Sequence, residues 1–194
     1  MPRPSGRIAR INAYQVPRRL RRHRYRLGFE VNPTGVGRLL VVGLNPSTAS
    51  LTRRDPTVDS FCRGLAVING YRELEIVNLF ALRSTDKLAL LSTRNPIGRD
   101  NDEQIIAASR TAEAVLLAWG LYFDPVIAAR ADSVERLLRR HARGTLLVLA
   151  RNADNSPAHP LYRSVKSPLI AFDPSTVAGI RPSRPLHLGP IARI

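Results

Sequence analysis

The sequence predicts an α/β fold: a three-layer α/β/α sandwich around a four-stranded, mainly parallel central sheet. Three observations predict it. Short apolar runs lie at 38–44, 74–79, 114–119 and 145–150, each ending at a glycine, an asparagine or a polar loop, as strands buried on both faces do. The segments between them carry helix starts and one-sided apolar faces, so strand and helix alternate in βαβ units. Hydrophobic residues make up 44% of the 194 residues, enough to build one core.

In chain order, residues 1–22 are Arg- and Pro-rich without a period and read as a basic arm, unordered until an anion orders it. His23 to Val31 alternates polar and apolar, a strand pattern, and Asn32-Pro33-Thr34-Gly35 is turn chemistry. Arg38 to Leu44 is the first buried strand. Asp55-Pro56-Thr57 has the form of a helix start, with Asp55 capping and Pro56 in the first helical position. That helix runs to Ile68 and stops at Asn69-Gly70. Leu74 to Leu79 is the second strand, 84–98 reads as a loop around Asn95-Pro96, and Asp100-Asn101 opens a helix to Glu113. Ala114 to Trp119, closed by Gly120, is the third strand. Residues 124–142 form a helix apolar on one face and Arg-rich on the other, and Thr145 to Ala150 is the fourth strand. A polar loop, 151–158, leads to His159-Pro160-Leu161-Tyr162. The chain therefore divides into an arm (1–22), an α/β domain (23–166) and a Pro-rich, irregular tail (167–194).

The formal net charge is +15, an electrostatic footprint of nucleic-acid binding. Residues 1–29 contain nine arginines and no acid, whereas the rest of the chain carries 21 basic and 15 acidic residues, so the excess is concentrated at the N-terminus. Arginine supplies 28 of the 30 basic residues, a bias that a GC-rich genome also produces, but such bias does not remove acids from 29 consecutive positions. No apolar run reaches membrane-spanning length. The N-terminus has no signal-peptide core, and its Pro-broken stretch is not the single amphipathic helix of a transit peptide. The lone cysteine, Cys62, excludes an internal disulfide and suits a cytoplasmic location, nucleoid-associated when DNA is bound. His23, His141, His159 and His187 stand far apart and no Cys/His group has zinc spacing, so neither a metal nor another cofactor is expected.

Three polar side chains follow core strands: Asn45 after the first, Asn78 at the end of the second and His159 in the loop beyond the fourth. In a parallel sheet such ends share one edge, where ligands bind. Two amides, each both donor and acceptor, and an imidazole suit a flat hydrogen-bonding ligand such as a nucleobase. Each also has a plainer reading: Asn45 as a turn former before Pro46, Asn78 as a cap or loop hydrogen-bonder, His159 as a turn cap before Pro160. Ser47, Asp55 and Arg83 are candidates for a phosphate or secondary site. Otherwise Ser47 caps the next segment of the chain, Asp55 is a helix cap or the acid of a different reaction, and Arg83 is solvated or ion-paired.

Gly43-Leu44-Asn45-Pro46-Ser47, Val77-Asn78-Leu79-Phe80, Leu117-Ala118-Trp119-Gly120 and His159-Pro160-Leu161 stand in an order that resembles the uracil-DNA glycosylase superfamily. That superfamily carries a G-x-[ND]-P motif, an Asn ending the next core strand, an L-x-W-G strand end and a late H-P-S-P or N-P-S motif. The chain resembles more closely an uncharacterised bacterial and phage family with L-N-P-S-T-A, D-P-T, N-L-F-A-L-R, W-G and H-P-L-Y in that order, over about residues 25–165.

The resemblance to the glycosylases implies their fold and the cofactor-free hydrolysis of the N-glycosidic bond of a damaged or modified base in DNA. Asn45 would position the attacking water and Asn78 would read the Watson–Crick edge of the flipped base. His159 would hydrogen-bond a pyrimidine carbonyl and stabilise the leaving anion. Phe61, otherwise a core residue, would stack on the base. A donor aimed at the base oxygen stabilises charge that develops only in the transition state, and the base must first leave the stack. Leu161-Tyr162 stand where the superfamily has Ser-Pro, so the small residues that pinch the phosphate backbone are missing there; Ser156-Pro157 lie just before His159. DNA is the expected partner, gripped by the arm, with RNA or nucleotides as alternatives, and no membrane is expected. Two other functions stay open: a nucleic-acid-binding module without chemistry, and an enzyme acting on free nucleotides or nucleosides.

Overall fold

Side chains alternate across the strand runs, so each face of the sheet collects its own core. Leu39, Val41, Leu74, Ile76 and Leu116 pack on one face with Phe61, Leu65 and Ala66. Leu40, Val42, Val77, Val115 and Leu117 pack on the other with Ile105, Ile127, Val134 and Leu138. The computed structural model describes residues 11–19, 22–47, 49–51, 55–161 and 163–173. Their strands are β1 (Ile11–Val16), β2 (Arg26–Glu30), β3 (Arg38–Gly43), β4 (Glu73–Asn78), β5 (Ala114–Leu117), β6 (Thr145–Val148) and β7 (Ile170–Ala171). They form one sheet in the order β1-β2-β4-β3-β5-β6-β7. The pairings β4-β3, β3-β5 and β5-β6 are parallel; β2 and β1 extend one side antiparallel and β7 the other. The chain is thus α/β, but the expected four-stranded sheet is corrected to a mixed, seven-stranded one.

The extra strands lie where the sequence reads as irregular. Ile11–Val16 falls inside the basic arm drawn at 1–22. It pairs there because Tyr14 lays its ring on its register partner Gly28, where a Cβ would come within 2.2 Å of that ring. Ile170–Ala171 falls inside the tail drawn at 167–194. Next to it, the guanidinium groups of Arg139 and Arg151 sit over the Phe172 ring at 5.2 and 4.4 Å. Residues 1–10 and those from 174 onward lie outside the described residues.

On one face a π-helical stretch, Pro56–Cys62, runs into α1 (Arg63–Ile68); on the other lie α2 (Ala89–Ser92), α3 (Asn101–Ser109) and α4 (Pro125–His141). The Asp55 start is as read: its Oδ1 accepts the N–H groups of Thr57 and Val58 at 2.9 and 3.2 Å, with Pro56 following. The stop at Asn69-Gly70 is also observed, with Gly70 at φ 76°. α3 ends at Ser109 and not at Glu113, and the loop 84–98 contains α2. Asp124 caps α4, whose last turn carries Arg139, Arg140 and His141 at the negative end of the helix dipole.

A charged network ties β2, β3 and β4 together. Glu75 is fully buried and receives Arg26 and Arg38, the latter at 3.1 Å; Arg38 also reaches Glu73 at 2.8 Å. Burial, reinforced by the Glu75 carboxylate, pushes the Tyr14 hydroxyl to ionise only at much higher pH than usual. Removing the shared carboxylate in Glu75→Ala leaves Arg26 without its acid. Unfolding in urea should show a loss of about 2–3 kcal/mol, less than for a fully buried pair because both arginines keep some hydration.

Candidate functional site

β3 and β4 are parallel neighbours, and the chain leaves them toward opposite faces. After Gly43 it passes to the π-helical stretch, and after Asn78 to α2 and α3. That divergence opens a crevice at the carboxyl ends of the strands. A cavity of ≈ 230 Å³ occupies it, and its walls include Asn45, Asn78 and His159 together with Arg24, Ser47, Asp55 and Lys87.

Asn78 is placed by the register itself. It pairs with Gly43, and a Cβ on Gly43 would lie 2.8 Å from the Asn78 Oδ1, so this close approach requires the motif glycine. The Asn78 side chain is buried and its Nδ2 has no hydrogen-bond partner among the described residues. Its main-chain carbonyl and that of Leu79 both accept from Asn101 Nδ2 at 3.0 Å. Asn45 spends its Nδ2 on the carbonyls of Ser84, Pro46 and Leu82, at 2.8, 3.3 and 3.4 Å, stapling the loop after β3 to the loop after β4. Its Oδ1 is the atom left for a ligand or a water.

His159 Nδ1 accepts the Leu161 N–H at 3.0 Å, which puts the imidazole proton on Nε2. Burial, then the nearby Lys87 charge, hold the imidazole below the ordinary histidine range, with Asp55 opposing them. The residue is thus a neutral donor at neutral pH. Gly120, at φ 89°, lies beneath it: a Cβ there would be 3.3 Å from the His159 Cβ, and the Gly120 N–H donates to the Pro157 carbonyl at 3.0 Å. The Trp119-Gly120 and His159-Pro160 motifs are therefore one spatial unit.

Ser47 donates its hydroxyl to Asp55 Oδ2 at 2.6 Å, so the two form a capped carboxylate in the cavity wall. Cys62 lines the same wall, but burial and then Asp55 push its thiol up to about 12, so it is no nucleophile at neutral pH. Phe61 does not line the cavity; it is buried in the core with Leu65 and Ala66, and its stacking role has no geometric basis. Arg83 is not in the cavity wall either. Its main-chain N–H donates to the Arg22 carbonyl at 2.9 Å, and its charge faces Arg24.

Two cations in the cavity wall have no place in the sequence reading. Arg24 stands in an alternating strand pattern where nothing distinguishes it from its neighbours. Lys87 carries a faint signal, being one of two lysines among 30 basic residues. A second opening of ≈ 550 Å³ adjoins the cavity across His159 and Lys87, which line both; Trp119, Leu121, Phe123, Leu161 and Arg163 also line it. Among the described residues no group of three His, Cys, Asp or Glu side chains is placed to hold a metal ion, and no helix is long and apolar enough to cross a membrane.

Residues 24–161 match the family described as Protein of unknown function (DUF1643). The chain belongs to that family. No curated protein and no solved structure matches it. The DUF1643 span begins at Arg24 and reaches past His159, so it encloses every cavity residue named above.

Gly43→Ala forces the Asn78 amide aside, and denaturant unfolding should report a loss of about 1–3 kcal/mol, typical of an overpacked close contact. The His159 ring, followed by NMR, should titrate below the usual histidine midpoint, and Lys87→Ala should move it upward. Because folding favours the neutral ring, its contribution to stability is complete above the ordinary histidine range and is lost as pH falls through and below it.

Proposed function

We propose that the protein hydrolyses the N-glycosidic bond of a damaged or modified base in DNA, as the likeness of its motifs to the uracil-DNA glycosylase superfamily implies. One observation carries this reading: Asn45, Asn78 and His159, far apart in sequence, line a single cavity at the carboxyl edge of a parallel strand pair. At ≈ 230 Å³ the cavity is smaller than the roughly 300–1,000 Å³ of sites for drug-sized ligands, which suits one heterocycle better than a whole nucleotide.

Cleavage builds negative charge on the departing base and positive charge on the sugar. His159 offers a neutral Nε2–H whose bond to a base carbonyl strengthens as that negative charge grows. Asn78 Nδ2, without a protein partner, is a donor held for the edge of the same base. Asn45 Oδ1 accepts from a water and orients it; an amide cannot take the water's proton, which passes to the departing base anion as the hydroxyl joins the sugar. Asp55 is the one carboxylate in the cavity wall among the described residues, and its charge favours the cationic sugar. The adjoining groove offers the exposed Phe123 ring to a flanking base and Lys87 and Arg163 to phosphates. A base-holding module without chemistry is the second reading, favoured by the structural use of Asn45 Nδ2 on three main-chain carbonyls.

The test is base release from single- and double-stranded oligonucleotides carrying a panel of altered bases, read as alkali-sensitive breaks. Release should fall by about 10²–10³ in His159→Ala, the scale of losing one transition-state donor. Undiminished release in Asn45→Ala would refute its role, and tight binding without release on any substrate would favour the second reading. For DNA binding, deleting residues 1–10 removes Arg3, Arg7 and Arg10 but spares β1. The slope of log affinity against log salt should then shrink by up to about 3, at roughly 0.9 per phosphate contact.

A further inference from the structure

The cavity contains a charge that its own residues leave under-used. Arg24 is 2% exposed, yet among the described residues its guanidinium gives a single hydrogen bond, from Nη1 to the Ala49 carbonyl, and its Nε has no partner. A guanidinium carries five N–H donors, and a buried one so poorly met destabilises the fold unless something else meets it. Asp55 lines the same cavity, but Ser47, Thr57 and Val58 already occupy its carboxylate oxygens, and Arg24 forms no ion pair with it among the described residues. Burial and the like charge of Arg83 outweigh Asp55 and push the guanidinium down to about 10, which still leaves it charged at neutral pH.

Three further groups of the cavity present donors or positive charge. Asn78 Nδ2 is an unpartnered donor at 4% exposure, His159 presents Nε2–H, and Lys87 adds a second cation. A neutral base engages amide and imidazole donors through its carbonyls, but it gives a buried guanidinium no countercharge.

We propose that Arg24 and Asn78 Nδ2 form an anion subsite in this cavity, and that the ring it accepts bears a negatively charged oxygen group, a carboxylate or a phosphate. The inference rests on the base-binding reading for the ring and on Arg24 for the charge. Charge-assisted hydrogen bonds to a buried guanidinium are among the strongest a protein offers, so the anionic group is the principal determinant of ligand choice.

Calorimetric titration of the full chain at pH 7 with uracil, uracil-5-carboxylate, uracil-6-carboxylate, uridine 5′-monophosphate and inorganic phosphate tests this. At least one carboxylated ring, or the nucleotide, should bind about tenfold or more tightly than uracil, about 1.4 kcal/mol. That preference should vanish in Arg24→Met and in Arg24→Gln and survive in part in Arg24→Lys. A preference for the carboxylates assigns the subsite to a modified base, and one for the nucleotide and inorganic phosphate assigns it to a phosphate; either supports the proposal. No anion preference in the wild type, or one that persists in Arg24→Met and Arg24→Gln, overturns it.

Melting temperature supplies a second readout. Removing a half-satisfied buried charge should leave Arg24→Met as stable as the wild type or more so. A lower melting temperature with ligand preference unchanged would mark Arg24 as structural and overturn the proposal. Because binding is read and not cleavage, base release without anion preference removes the subsite and leaves the glycosidic reading standing. Arg24-dependent anion binding without base release does the reverse.

Discussion

The contact between the Asn78 amide and the bare Cα of Gly43 is the constraint on which the site depends. It exists because β3 and β4 run parallel in a register that pairs these two residues, with no side chain at position 43 to hold the amide off. The segment just beyond Asn78 is then clamped from outside the sheet. Asn101 at the start of α3 holds the carbonyls of residues 78 and 79, and Arg130 of α4 reaches the second of these at 2.8 Å while bridging to Asp102. Two helices on one face thus fix the end of a strand whose side chain faces the crevice, and rigid elements rather than loops set its position.

Among the described residues, Arg24 Nε and Asn78 Nδ2 stand in the cavity wall as donors without a protein partner. Gly120, in a left-handed conformation, supports His159, whose Nδ1 is tied to the main chain so that Nε2 keeps the proton. Burial and Lys87 keep that ring neutral, whereas Arg24 remains cationic in the same wall. Asp55 is held by the helix N–H groups and by Ser47, so it contributes a fixed negative charge. Elsewhere in the sheet, Arg26, Arg38, Glu73 and Glu75 satisfy one another, and their network serves the sheet.

Much of this architecture is legible in short stretches of sequence, because the forces that write it act over a few residues. The Leu- and Val-rich runs mark the four parallel strands through unbroken apolarity and length. Asp55-Pro56 and Asn69-Gly70 mark the two ends of one helix through capping and a left-handed stop. Asn45 and Asn78 stand out because a polar residue at the end of a buried strand has only one edge of the sheet to occupy, and His159 because its loop leaves the last of those strands at the same edge. Phe61 shows the limit of that logic. An aromatic side chain on a helix fits the core and a binding pocket equally well by type, and packing against Leu65 and Ala66 settles the matter.

The features that escaped the sequence depend on partners far along the chain. β1 lies in an Arg- and Pro-rich segment and β7 in a Pro-rich one, and both segments read as irregular. They become strands because Tyr14 finds Gly28 and because Phe172 finds Arg139 and Arg151. Arg24 looks like every other arginine until the fold buries it beside the cavity. Local propensity and periodicity therefore set the class, the helix ends and the polar residues available at the sheet edge. Long-range packing alone chose which of those residues meet, how many strands the sheet has and which charge is sealed inside, because burial and pairing are properties of the assembled chain and of no single segment.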